Sequence, residues 1–424
     1  MSGGGVKDGM TNFGTRSIEA FTNSRAGQYA SNKATELINI VRSGAAKTFN
    51  AGKVKLDGKG IKTLGDLTSA DSITQVMVLI IVLLFFIIFF WCYNKISLNR
   101  KNCTTIEKIY AKFPLIKSID PENPKYKFKL RDYYIKTAYN CCASGNLKND
   151  FVNLCALRNC IKQGARCLDF EIYSVEHAPV IAISSISDFN VKESYNSIPF
   201  VKAMETISNY AFSGGHCPNP ADPIILHFRI MTSSVDVHNQ MAKALYNTLE
   251  DKLLGKQFSY ENGGKNIGSY PISKIMGRVI IMLDKANPIF STSLLNEYVN
   301  ITSNSAFVRV LRYNDVIYCP DKDELLNYNK QNMTISIPNL SAQNTNYSAA
   351  LVMTYGCQMI GMSFQNFDNY FQYYTQFFDD AGSAFVLRPD RYRYIPIFIP
   401  EPTPQDPEVT YSDKEFSINS SKVN

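Results

Sequence analysis

The chain has 424 residues, of which 45% are hydrophobic, 12% aromatic and 19% charged, so it has room for two or three folding units and is not disordered throughout. Its 44 Lys and Arg against 37 Asp and Glu give a net +7 over the whole length. That lacks the concentrated basic face of a nucleic-acid binder, so no nucleic-acid partner is expected, whereas a lipid bilayer with an anionic surface suits the excess.

Residues 1–72 are rich in Gly, Ser, Thr, Asn and Ala and read as a polar N-terminal arm with one amphipathic helix over 30–49. Residues 73–93, ITQVMVLIIVLLFFIIFFWCY, carry no charge between Asp71 and Lys95. This is long enough for one helix to cross a hydrocarbon core of about 30 Å. A buried core helix would keep a polar stripe, but residues 76–90 are apolar on every face. A cleaved signal peptide would start nearer Met1 and end in small residues, whereas Trp91 and Tyr93 supply an interfacial aromatic pair. Lys95, Arg100, Lys101 and Lys108 follow the span, while Lys59 and Lys62 before it are diluted by Asp66 and Asp71. The positive-inside tendency then puts the C-terminal part in the cytosol, with a cellular or a virion membrane left open. The 10 cysteines form no CxxC pair and are expected as free buried thiols, without a disulfide framework or zinc site. Sequons at Asn102, Asn300, Asn332, Asn339, Asn346 and Asn419 pull weakly the other way.

Residues 94–127 read as a juxtamembrane spacer with one helix at 105–113. Beyond them, strand-like runs at 133–138, 167–173, 180–184, 224–230, 279–283, 307–311, 358–364 and 384–387 alternate with helical patterns at 150–163, 201–212, 235–254 and 369–380. Such alternation predicts an α/β fold, a TIM-type (β/α)8 barrel over 128–395, preceded by the single transmembrane helix. No strand is followed by GxGxxG or GxxxxGK[ST], so a nucleotide site has no phosphate loop. Residues 396–424 open with PIFIPEPTPQDP, an extended Pro-rich arm, and end in a polar tail.

At the strand ends the segments YYIKTAYNCCASG (133–145), GARCLDFEIYS (164–174), APVIAISS (178–185), NYAFSGGHCPNPADPIILHFRI (209–230), TYGCQMIGMSFQN (354–366) and AGSAFVLRP (381–389) occur in order. They resemble the catalytic X and Y halves of phosphoinositide-specific phospholipase C, with GCQMIGMSFQN the most specific piece. The resemblance implies two catalytic histidines, and these positions fall on Tyr139 and Ile183. Isoleucine has no proton to transfer, so acid catalysis worth roughly 10² to 10⁴ in rate would be missing there. The resemblance also implies a calcium ion held by an Asn, two acids and a Glu, which fall on Asn140, Asp169, Glu171 and Arg229. A guanidinium in the last place repels a divalent cation and can itself pair with the two acids. A degenerate, metal-free site without cofactor is therefore expected, calcium returning only if the site is less altered than it reads. Lysines implied for substrate binding fall on Met282 and Asp284, and an arginine falls near Ser341.

Several further residues could carry chemistry. His227 shares strand parity with Arg229 and points inward, as a replacement acid or base beside Tyr139 or as a hydrogen-bonded core residue. His177 lies at the wrong end of its strand to be a displaced second histidine. His216 and His238 read as structural or solvent-facing. Asp169 and Glu171 could form a glycosidase-like pair, which no second constellation supports. Arg388, Arg391 and Arg393, interleaved with Tyr392 and Tyr394, could meet phosphates or form a solvated face. The expectation is a membrane-anchored phospholipase-C-like barrel without activity, a scaffold binding a protein partner or a phosphoinositide headgroup. The alternative is an active, calcium-independent phosphodiesterase built on Tyr139 and His227.

Overall fold

A computed structural model describes residues 70–424 except 264, 398, 404–415, 419, 420 and 424. The arm over 1–69 and its helix at 30–49 lie outside the described residues. Helices α1 (Ala70–Ile109), α2 (Leu154–Lys162), α3 (Phe200–Tyr210), α4 (Val235–Leu249), α5 (Tyr313–Ile317), α6 (Lys322–Gln331), α7 (Ala349–Met353) and α8 (Asn369–Ala381) accompany thirteen strands. These are β1 (Tyr133–Ala138), β2 (Cys167–Val175), β3 (Ala178–Ala182), β4 (Ile198–Pro199), β5 (Ile224–Ile230), β6 (Val279–Asp284), β7 (Ile301–Ser303), β8 (Val308–Arg312), β9 (Met333–Ile337), β10 (Met359–Met362), β11 (Phe385–Leu387), β12 (Phe416–Ile418) and β13 (Ser421–Val423).

Eight parallel strands form the barrel in the order β7-β6-β5-β2-β1-β10-β9-β8. No ladder joins β7 to β8 among the described residues, so closure is nearly complete. The cause is chain length: residues 304–307 alone connect them, whereas laddered parallel strands need a crossover of a dozen or more. The strand number agrees with the sequence expectation, but two members differ. The run at 180–184 is not a barrel strand. Glu176 and His177 both have positive φ (51° and 61°), the backbone of a tight hairpin turn, and β3 folds back antiparallel on β2. The run at 384–387 likewise becomes β11, antiparallel to β1. Their places are taken by the short β7 and by β9, whose polar neighbours hid them.

The helix α1 runs for 40 residues, and its most apolar window has a mean hydropathy of 3.1, making it the one described helix long and apolar enough to cross a membrane. It includes both the expected span and the first part of the expected spacer, because no Gly or Pro occurs between Ala70 and Ile109. Nor do residues 94–127 behave as a spacer. Ile106, Tyr110, Ile116 and Ile119 are buried in the barrel's hydrophobic core, and Tyr110 donates its hydroxyl hydrogen to the Phe364 carbonyl. Asn102 donates to Asp150 (2.9 Å), and Cys103 forms a disulfide with Cys155 of α2. The expectation of free thiols alone is corrected by this one pair; Cys141, Cys142, Cys160, Cys167, Cys217 and Cys357 are free and buried as expected.

Candidate functional site

Strand alternation builds the site. Asp169 and Glu171 lie at i and i+2 on β2, and His227 and Arg229 at i and i+2 on the adjacent β5, in register Asp169↔His227 and Glu171↔Arg229. Tyr139 and Asn140 follow β1, and Asn140 takes φ 42°, a conformation that Asn tolerates better than most residues. All six therefore meet at the C-terminal ends of the strands.

Arg229 is the centre of the cluster. Its Nε donates to Asp169 Oδ1 (3.0 Å), Nη2 to Asp169 Oδ2 (2.7 Å) and to Asn140 Oδ1 (2.9 Å), and Nη1 to Glu171 Oε1 (2.5 Å). The guanidinium carbon stands 5.0 Å from the Tyr139 ring centroid, a cation–π contact. Glu171 Oε2 also accepts from Ser184 N (2.9 Å) and from the Tyr173 hydroxyl (3.1 Å). Burial alone would raise the Asp169 carboxyl; the Arg229 charge, with hydrogen bonds from His227 and Arg229, outweighs it and holds the group well below the usual carboxylate range. Burial opposes the Arg229 charge too, but Asp169 and Glu171 keep its pKa well above the ordinary value. The Tyr139 hydroxyl is pushed up to about 12 by burial, partly offset by Arg229.

This donor set does not fit a calcium ion. Asn140, Asp169 and Glu171 direct their oxygens at a cation already present, the guanidinium, and a second cation would share that space against like charge. Among the described residues no group of three or more His, Cys, Asp and Glu side chains is placed to hold a metal ion.

His227 lies below Arg229. Its Nδ1 is 2.7 Å from Asp169 Oδ1 and its Nε2 is 2.8 Å from Ser303 Oγ. With Asp169 ionised and so acceptor-only, Nδ1–H is the donor. The order Ser303–His227–Asp169 has the distances of a nucleophilic triad. All three residues are nevertheless fully buried at 0% exposure, and none lines the mouth cavity, so no substrate atom meets Ser303 here. Sequence reasoning missed Ser303 because β7 has only three residues, two of them polar.

The mouth cavity, about 260 Å³, is lined by Arg229, Arg312, Asp284, Asp315, Asn304 and Phe189 among others, so its two positive and two negative side chains balance. Ile183 is buried at the end of the β3 hairpin, next to the Ser184 amide that binds Glu171. Met282 is buried beside His227, while Ser341 lies in a different cavity. His177 is exposed on the β2–β3 turn, His216 is exposed, and His238 is buried with Nδ1 2.8 Å from the Ser234 carbonyl. Arg388 belongs to neither of the expected roles: it is 1% exposed and donates to the Gly356 (2.7 Å) and Asn329 (2.9 Å) carbonyls, a strut at the foot of the barrel.

The family model described as phosphatidylinositol-specific phospholipase C, X domain, matches residues 126–285, and the corresponding Y domain model matches 297–391. Among solved structures, the PLC21 of S. officinalis superposes with a TM-score of 0.53 at 16% identity, covering 66% of this chain and 39% of that one. The PLC21 of L. pealei gives 0.53 at 17% identity, covering 65% and 39%. This chain thus spans about two fifths of the length of these structures. No curated protein matches it. With the two family models together matching more than half of the sequence, the chain belongs to the phosphatidylinositol-specific phospholipase C catalytic-domain superfamily.

Proposed function

We propose that the protein is a membrane-anchored phospholipase-C-like barrel without phosphodiesterase activity, acting as a structural or interaction scaffold at a membrane. The observation that carries this reading is the Arg229 guanidinium at the centre of the carboxylates, where the family resemblance implies calcium. Ile183 supports it, since its side chain has no proton to give a leaving group. The competing reading, a calcium-independent enzyme using Tyr139 and His227, must explain how a fully buried imidazole reaches substrate. The test is turnover of phosphatidylinositol and its bisphosphate in mixed micelles by the purified full chain, with and without calcium. No turnover is expected, and no calcium affinity tighter than about 0.1 mM. Turnover that His227→Ala abolishes would replace the scaffold with the enzyme.

For orientation, the positive flank favours a cytosolic barrel, but the Cys103–Cys155 disulfide weighs more, because disulfides persist in oxidising compartments and the charge margin is small. We therefore place the barrel on the non-cytosolic side. Half-exposed sequons at Asn102, Asn332 and Asn339 provide the readout. A Cys103–Cys155 cross-linked peptide and a glycosidase-sensitive mass shift are expected; free thiols and no glycan would return the barrel to the cytosol.

A further inference from the structure

A second cavity, about 250 Å³, opens on the same face of the barrel and shares no lining residue with the mouth. Its walls come from the segments after β8, β9 and β10, and no Asp, Glu, Lys, Arg or His lines it. The lining is uncharged and mixed: the amides of Asn339, Gln343 and Asn344, hydroxyls of Ser and Thr, and three tyrosines, with Leu147 and Pro338 apolar. The rings of Tyr313 and Tyr347 pack at 4.7 Å and 36°, presenting an aromatic wall with no gap between them.

The wall is held in shape before any ligand arrives. Asn346 accepts from Ser363 N (2.7 Å) and donates to the Ser363 (3.2 Å) and Asn366 (2.9 Å) carbonyls, while the Tyr347 hydroxyl donates to the Ser336 carbonyl (2.9 Å). Asn344 is 9% exposed and donates its amide to the Gly145 carbonyl (3.2 Å), but its Oδ1 is buried with no partner. That oxygen is closed to solvent, so the hydrogen-bonding capacity the cavity offers lies in its other lining amides and hydroxyls.

We propose that this cavity binds a single neutral polyhydroxylated ring, a sugar or polyol, with its hydroxyls on the lining amides and hydroxyls and a C–H face lying on a tyrosine ring. Absence of any lining charge disfavours phosphate, carboxylate and amine ligands. The volume, below the roughly 300 Å³ at which pockets for drug-sized ligands begin, suits one ring. The closed Tyr313–Tyr347 stack leaves no slot for a flat base between them. This inference goes beyond the scaffold reading and does not depend on the state of the mouth.

The experiment uses the full chain in a non-glycosidic detergent, with saturation-transfer NMR against glucose, galactose, mannose, N-acetylglucosamine and myo-inositol. Glucuronic acid, glucosamine and adenosine serve as charged and planar counterparts. At least one neutral ring should bind, and Tyr370→Ala, at the exposed rim, should weaken it. Asn339→Ala, which removes a lining amide, should weaken it about tenfold, as the loss of one hydrogen bond predicts. A short-chain glycolipid with the same headgroup separates the sources: equal binding assigns a free sugar, tighter binding a membrane glycolipid, and either supports the site. No neutral binder, a charged or planar counterpart binding as tightly, or affinity unchanged in both variants would overturn the proposal.

Discussion

Arg229 makes four hydrogen bonds to three side chains while being 7% exposed, so removing it leaves Asp169 and Glu171 as buried charges without a counter-charge. Arg229→Met should cost about 3–5 kcal/mol at neutral pH, read by urea unfolding of the solubilised chain. The sign of the acid response should change with it. In the native protein the Asp169 carboxyl is depressed, so its contribution is complete above the unfolded value of about 4 and is lost as pH falls through the lower folded value. In Arg229→Met burial would instead favour the protonated acid, and stability should rise on acidification. Lys136 gives a response at the other end of the scale. It is fully buried, with Asp379 at 4.0 Å, and burial lowers its pKa to about 8. Between about pH 8 and 10.4 the unfolded chain holds a proton that the folded one does not, so stability should increase with pH across that window. Lys136→Met should flatten the rise, as seen in unfolding midpoints measured from pH 7 to 11. The site was legible at Asn140, Asp169, Glu171 and Arg229 through the family resemblance, with strand parity adding that Asp169 and Glu171 share one face. The position of Ser303 against His227 depends on a strand pairing that no local pattern reveals.

At the level of elements, the most recognisable segment, GCQMIGMSFQN, turns out to be scaffold. Gln358 is 1% exposed and donates to the Arg131, Asn329 and Asn332 carbonyls while accepting from Thr334 N, tying β9 to the ends of β1 and α6. Gly361 lets β10 pack closely: a Cβ there would stand 3.3 Å from that of Tyr139 and 3.2 Å from the Ser336 carbonyl. The recognisable letters of this segment thus serve packing and backbone ties, which is why it made the fold readable and not the chemistry. The β3 hairpin was misread because an apolar run of five looks alike in a barrel strand and in a hairpin arm. Residues 94–127 were misread because the contacts that bury them, such as Tyr110 on Phe364 and Ile119 N on Asp222, are long-range. The Cys103–Cys155 bridge closes a separation of 52 residues, and reducing it or replacing Cys103 by Ser should cost about 4 kcal/mol. Tryptic mapping without reductant, followed by thermal unfolding with and without it, checks both the bond and its effect.

For the molecule as a whole, one hydrophobic core continues from Ile106 of α1 to Phe385 of β11, so the barrel and the segment leading into it are expected to unfold together. The exception is the join between β7 and β8. Barrel closure normally leaves every strand with two partners, and β5 has ladders on both sides, to β2 and β6, whereas β7 and β8 each have one. Their facing edges are where native-state opening should begin. Amide hydrogen exchange followed by mass spectrometry should show peptides spanning 301–312 exchanging well before those spanning 224–230; equal protection would mean the seam is closed in solution. Ser303 lies on that seam with its hydroxyl against His227, so each opening also admits water to the sealed Ser303–His227–Asp169 relay. The exchange rate of these few amides is therefore a clock for how often the buried relay meets solvent.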